Sequence, residues 1–166
     1  MSSERTVLVA VEDTATAGIV GAAAAHVAME ENATAIVLLH IVENHVVAQG
    51  LMSIALPVPM RETQTEADAV LAGAEAALRA EYVALDHPVP TVTRRLLGGT
   101  AIGTVVCEVA DETKASKIVV GGRRPHAFGR LAHPDVRASL THHTQIPVYV
   151  APLQSAEPQS AGGEAG

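Results

Sequence analysis

The chain has no tryptophan, one phenylalanine and two tyrosines, so aromatics make up only 2% of its 166 residues. Binding of single-stranded nucleic acid relies on bases stacking on aromatic side chains, and here those platforms are nearly absent. Cations are scarce as well. Eleven lysines and arginines stand against 18 acids, giving a formal net charge of -7. The short pairs Arg94-Arg95 and Arg123-Arg124 do not make a broad basic face. That argues against nucleic acids and anionic membranes as partners.

There is one cysteine, Cys107, so no intramolecular disulfide can form, as suits a reducing compartment. Residues 1–6 lack the basic and apolar regions of a signal peptide. No uninterrupted apolar run approaches the roughly 20 residues that a membrane-spanning helix needs. The expected location is cytoplasmic.

What the chain does have is small apolar residues. Hydrophobic residues make up 48%, much of it alanine and valine. A core of such side chains suggests helices packed closely on a sheet, and the length suits one domain, residues 1–152. Residues 154–166 are Ser, Gly, Ala, Gln, Glu and Pro with almost nothing to bury. The expectation for 153–166 is a disordered tail.

Val7-Leu8-Val9-Ala10-Val11 is a continuous apolar run of strand length. Continuous apolarity marks a strand buried on both faces, as in a parallel sheet. Asp13 or Thr14 can cap a helix whose apolar residues recur at helical spacing to about Glu31. A second strand is expected over 35–42. Residues 43–61 read as a long loop with a short turn at 51–55, because Gly50, Pro57 and Pro59 interrupt them. A long helix is expected over 63–85, ended by His87-Pro88. A third strand over 91–97 leads to a turn at Gly98-Gly99, with Thr100 capping a helix to 113. Then come a strand over 117–121, a loop over 122–133, a helix over 134–144 and a strand over 146–151. Proline suits the first turn of that last helix. Alternation of this kind implies an α/β fold, a doubly wound five-stranded parallel sheet with helices on both faces.

In such sheets ligands lie beyond the carboxyl ends of the strands, where strand order reverses. Two ends carry suitable chemistry: Glu12-Asp13-Thr14 after the first strand, and Gly121-Gly122-Arg123-Arg124 after the fourth. The glycine pair either lets the backbone approach a phosphate or is an ordinary strand-to-loop turn. Other motifs fail. Gly98-Gly99-Thr100-Ala101-Ile102-Gly103 misses the dinucleotide fingerprint because Thr100 stands where the middle glycine belongs. There is no Walker lysine and no serine nucleophile elbow. The eight histidines show no metal-ligand spacing. His40, inside an apolar strand, reads as a core histidine, and Cys107 as a packing residue.

Several segments together resemble one family. Val7-Leu8-Val9-Ala10-Val11-Glu12-Asp13-Thr14 is similar to the opening strand and acidic turn of UspA-type universal stress proteins. Leu38-Leu39-His40-Ile41-Val42 is similar to their second strand. Gly99-Thr100-Ala101, Ala110-Asp111-Glu112 and Lys117-Ile118-Val119-Val120-Gly121 resemble their fourth-strand region. Thr144-Gln145-Ile146-Pro147-Val148-Tyr149-Val150 resembles their last strand. The resemblance spans about residues 5–152.

It implies strand order 3-2-1-4-5, an adenine nucleotide alpha hydrolase-like fold, with strands one and four side by side. It also implies a homodimer paired through the last strand, Ile146-Pro147-Val148-Tyr149-Val150. ATP-binding members carry Gly-x-x-Gly, nine residues, then Gly-Ser or Gly-Thr. Here Gly121 holds the first glycine, Arg124 replaces the second, and Pro134-Asp135 replace the final pair. Arg124 brings a Cβ into a tight loop. Pro134 removes a backbone N–H from the helix start that would hold phosphate. Asp135 sets a carboxylate at that helix end and repels polyphosphate. Arg123, Arg124 and Arg130 can supply side-chain phosphate contacts instead. On the adenosine side, Glu12 stands for the usual aspartate near the ribose, with Asp13 beside it, and Ile41 holds the position whose backbone meets adenine.

Two functional expectations follow. One is a regulatory stress-response module, homodimeric, without catalysis, binding ATP weakly or not at all. The other is an ATP- or AMP-binding member that contacts phosphate through arginines, with or without slow hydrolysis. A third class, a small α/β enzyme acting on a nucleotide-like substrate, lacks any positioned acid–base pair in the sequence.

Overall fold

The computed structural model describes residues 4–43, 63–99, 101–121, 140 and 142–152. Strand β1, Thr6–Val11, lies at the centre of a five-stranded sheet, and Val7, Leu8 and Val9 have no exposure at all. The continuous apolar run is explained by layers on both sides. A fully buried Val or Leu contributes roughly 1.5–3 kcal/mol relative to exposure, so this strand anchors the domain.

Helix α1, Thr14–Glu30, starts where Asp13 caps it: Asp13 Oδ1 accepts from the Thr16 amide at 2.8 Å. Strand β2 is Ala35–Glu43. Helix α2, Gln64–Ala84, opens with a capping box in which Thr63 and Glu66 satisfy each other's amides. Strand β3 is Thr91–Gly99, helix α3 is Ile102–Glu112, β4 is Ala115–Gly121 and β5 is Val148–Ala151. Leu140, His142 and His143 are helical, within the helix expected before β5. The sheet order is β3-β2-β1-β4-β5, and every pair is parallel.

Helices α1 and α2 cover one face, burying Val7, Val9, Val11, Ile36 and Leu38 beneath Val20, Ala24, Leu71 and Leu78. The other face buries Leu8, Val37, Leu39 and Ile118 beneath Val106, Val109 and Leu140. Alanine and glycine let the layers approach closely, as the composition suggested.

Several boundaries differ from expectation, and β4 starts at Ala115 rather than at Lys117. Gly98 and Gly99 are not a turn but the end of β3, paired with Val42 and Glu43 of β2. The cap of α3 falls on Ala101, which has no side-chain acceptor, rather than on Thr100. Strand β5 starts at Val148 because Pro147 has no N–H to donate, although its carbonyl accepts from the Ile118 amide at 3.0 Å. The short turn expected at 51–55, the start of the last expected helix and the tail at 153–166 lie outside the described residues. Among the described residues, no helix is long and apolar enough to cross a membrane.

Candidate functional site

The chain runs β1 to β2 to β3 on one side, then returns through α3 to β4 on the other side of β1. Strand order therefore reverses at the β1/β4 boundary. Crossovers leaving β1 and β4 in opposite directions open a crevice above their carboxyl ends.

The strand ladders give that crevice its shape. Pairing of β1 with β4 stops at Ala10 and Val120, and pairing of β1 with β2 stops at Val11 and His40. The flanking pairs continue further, β2 with β3 to Glu43 and Gly99, and β4 with β5 to Gly121 and Ala151. The top of the sheet is thus notched at β1. Three residues of β2 rise beyond its last β1 partner, or about 10 Å of strand. The floor of the notch is the Glu12–Asp13 turn, whose two side chains are exposed.

Asp13 is committed to structure. Its Oδ1 accepts from the Thr16 amide and, at 2.9 Å, from the Thr16 hydroxyl. Its backbone is extended, and its carbonyl accepts from the Ala17 amide at 3.0 Å. This residue holds the N-terminus of α1 to the end of β1. Ile41 lies one residue past the last β1 partner and pairs only with Leu97 of β3. Its side chain packs on the α3 face of the sheet, so its backbone borders the notch. Gly121 closes the opposite wall. A Cβ there would stand 3.1 Å from Val20 Cγ2 of α1, so the absence of a side chain lets β4 approach that helix.

The structure thus brings Glu12, Asp13, Ile41 and Gly121 to one end of the sheet. Gly122, Arg123, Arg124, Arg130, Pro134 and Asp135 lie outside the described residues. The described arginines of β3 are engaged elsewhere: Arg94 pairs with Glu75 and Arg95 with Glu112. Lys117 pairs with Glu31 at the opposite end of the sheet.

His40 is a core histidine, as its place in an apolar strand implies, with 2% exposure, and its position beside the notch is what no local pattern spells out. Its Nδ1 also lies 2.7 Å from the carbonyl oxygen of Val11. The available signal was a polar side chain in a strand where Ile36 and Leu38, two and four residues before it, are core.

Nucleophilic chemistry finds no support at Cys107. Burial, and then the negative charges of Asp111 and Glu108, push its thiol up from the ordinary value. Among the described residues, no group of three His, Cys, Asp or Glu side chains could hold a metal ion.

A sequence model of the Universal stress protein family matches residues 4–152. No curated protein sequence matches the chain. Among solved structures, a universal stress protein in complex with cAMP is 22% identical, with a TM-score of 0.59, and the alignment covers 90% of this chain and 97% of that one. The universal stress protein of Archaeoglobus fulgidus in complex with dAMP is 20% identical, with a TM-score of 0.58, covering 92% of this chain and 100% of that one. UspA from Lactobacillus plantarum is also 20% identical, with a TM-score of 0.55 and the same coverage. At these identities the structural likeness speaks to fold.

Proposed function

The chain belongs to the universal stress protein family, and on that premise we propose that it is a homodimeric regulatory stress-response module whose adenine-nucleotide site disfavours ATP. The observation that carries this reading is the notch above β1, bounded by Glu12, Ile41 and Gly121. It has the form of a switch-point site, and it keeps the positions that the family resemblance assigns to adenosine. What departs from the family pattern is the triphosphate side. Arg124, Pro134 and Asp135 stand where a glycine, a second glycine and a hydroxyl residue form the cradle. At the start of the helix expected over 134–144, a missing amide and an added carboxylate would both weaken binding of a polyphosphate.

A nucleotide with one phosphate suffers less from these changes than ATP does. Two of the structural neighbours, at low identity, hold cAMP and dAMP. The reading therefore favours a monophosphate such as AMP over ATP. Pairing through β5 is supported by its place at the sheet edge and by Tyr149, which is 40% exposed there. Such an edge is a template for a second copy.

A second reading is favoured by the distribution of charge. The described β3 arginines and Lys117 are paired away from the notch, which leaves a phosphate bound there to cations outside the described residues, Arg123, Arg124 and Arg130 among them. On this reading ATP or AMP binds through arginines, and Arg123→Ala or Arg124→Ala weakens it.

Isothermal titration with ATP and AMP at millimolar concentration tests the first reading. It expects ATP binding that is millimolar or weaker, with AMP bound at least as well. Micromolar ATP affinity would overturn it.

A further inference from the structure

We propose that His40 is a positioning residue for the Glu12–Asp13 turn, holding the floor of the notch in the shape a nucleotide requires; the ligand part of this rests on the reading above. On the α1/α2 face of β2, Ile36 and Leu38 are fully buried core residues. A third apolar side chain at position 40 would continue that pattern. Instead the chain buries an imidazole, and the buried polar side chains among the described residues are only Thr6, Thr16 and His40.

The partner explains the choice. Val11 is the last residue of β1 and lies beyond the last β4 partner, so β2 is its only neighbour in the ladder. Its carbonyl meets His40 Nδ1 at 2.7 Å. A carbonyl oxygen only accepts, so Nδ1 carries the proton and donates.

The Val11 carbonyl belongs to the peptide group that enters Glu12. Fixing its direction fixes how the chain leaves the strand. The next residue but one, Asp13, then meets the first turn of α1 through the Thr16 and Ala17 amides. A continuous set of contacts therefore runs from His40 to Val11, through Glu12 to Asp13, and into the N-terminus of α1. Burial makes the first contact count, because a buried carbonyl that loses its donor finds no water to replace it.

The test compares His40→Leu, which keeps the bulk and removes the donor, with His40→Asn, whose amide nitrogen can stand near the Nδ1 place. Two readouts are taken on the full chain: hydrogen exchange of the Thr16 and Ala17 amides, and AMP affinity by titration. In His40→Leu those amides exchange about tenfold faster while the Val9 and Leu38 amides keep their protection, and AMP binds about tenfold more weakly. His40→Asn restores both. Unchanged exchange at Thr16 and Ala17 in His40→Leu overturns the proposal, as does a loss of protection shared equally by Val9 and Leu38, which marks a merely structural role. If wild-type protein binds no AMP, the nucleotide reading falls, and the exchange comparison still decides whether His40 holds the turn. AMP binding that is indifferent to His40→Leu while the turn loosens also overturns it.

Discussion

Gly21 of α1 and Ala74 of α2 are in such close approach that a Cβ at position 21 would lie 2.1 Å from the Ala74 carbonyl oxygen. The clash would be with backbone, which cannot rotate away. Gly21→Ala therefore forces the two helices apart, at a cost of about 1–3 kcal/mol despite alanine's better helix propensity. Gly18 lies in the same helix with nothing within 4 Å of its added Cβ. Gly18→Ala should stabilise by about 0.5–1 kcal/mol. Urea midpoints for the pair check both signs. Equal effects would show that the packing at Gly21 does not matter.

Glu75 joins α2 to β3. It accepts from Arg79 Nε at 2.7 Å and from Arg94 Nε at 2.5 Å. Burial alone would raise its pKa, but the hydrogen bonds and charges of Arg79 and Arg94 outweigh burial and hold the carboxyl below the ordinary glutamate range. A carboxyl depressed in the folded state stabilises above its unfolded pKa and loses that contribution as pH falls through the folded value. Glu75→Gln should thus cost about 1 kcal/mol at pH 7, since both arginines are half exposed and well screened. The difference from wild type should shrink as the pH drops below the ordinary glutamate pKa. Denaturant midpoints at neutral and acid pH measure it.

Three helices end on non-glycine residues with left-handed backbone: Asn32, Asp86 and Lys114, at φ 51°, 52° and 51°. In the first two, the following amide closes back across the helix end, Ala33 to Ala28 and His87 to Tyr82. Asn and Asp tolerate this conformation better than lysine does. Lys114→Gly should raise stability by about 0.5–1 kcal/mol, read as a higher thermal midpoint.

Strand β5 is an edge strand, and its exposed Tyr149 stands on the side chain row opposite Val148 and Val150, which pack on the sheet. If a second copy pairs there, Tyr149→Asp moves the protein from dimer to monomer in light scattering while the circular dichroism spectrum is kept. A wild-type protein that is monomeric at micromolar concentration would contradict the pairing.

Much of the architecture was legible because single elements carried strong local signals. The unbroken run Val7-Leu8-Val9-Ala10-Val11 announced a strand covered on both faces, and Asp13 before an alanine-rich helical pattern announced its cap. At Gly98-Gly99 local propensity favours a turn, whereas pairing with Val42 and Glu43 extends the strand. Adjacency of β1 and β4 came from the family resemblance, since no local pattern encodes which parallel strands are neighbours. The depth of the notch depends on where four ladders stop. The bond from His40 to Val11 joins residues 29 apart in sequence. Neither is written in any one segment.

On the function proposed above, the site keeps its adenosine side while Arg124, Pro134 and Asp135 disable its triphosphate cradle. The most direct measurement is the ATP affinity of Arg124→Gly combined with Pro134→Gly and Asp135→Ser, titrated beside the wild type. The expected result is a gain of about tenfold or more, equivalent to roughly 1.4 kcal/mol, with AMP affinity little changed. A folded triple variant that binds ATP no better than wild type would contradict it.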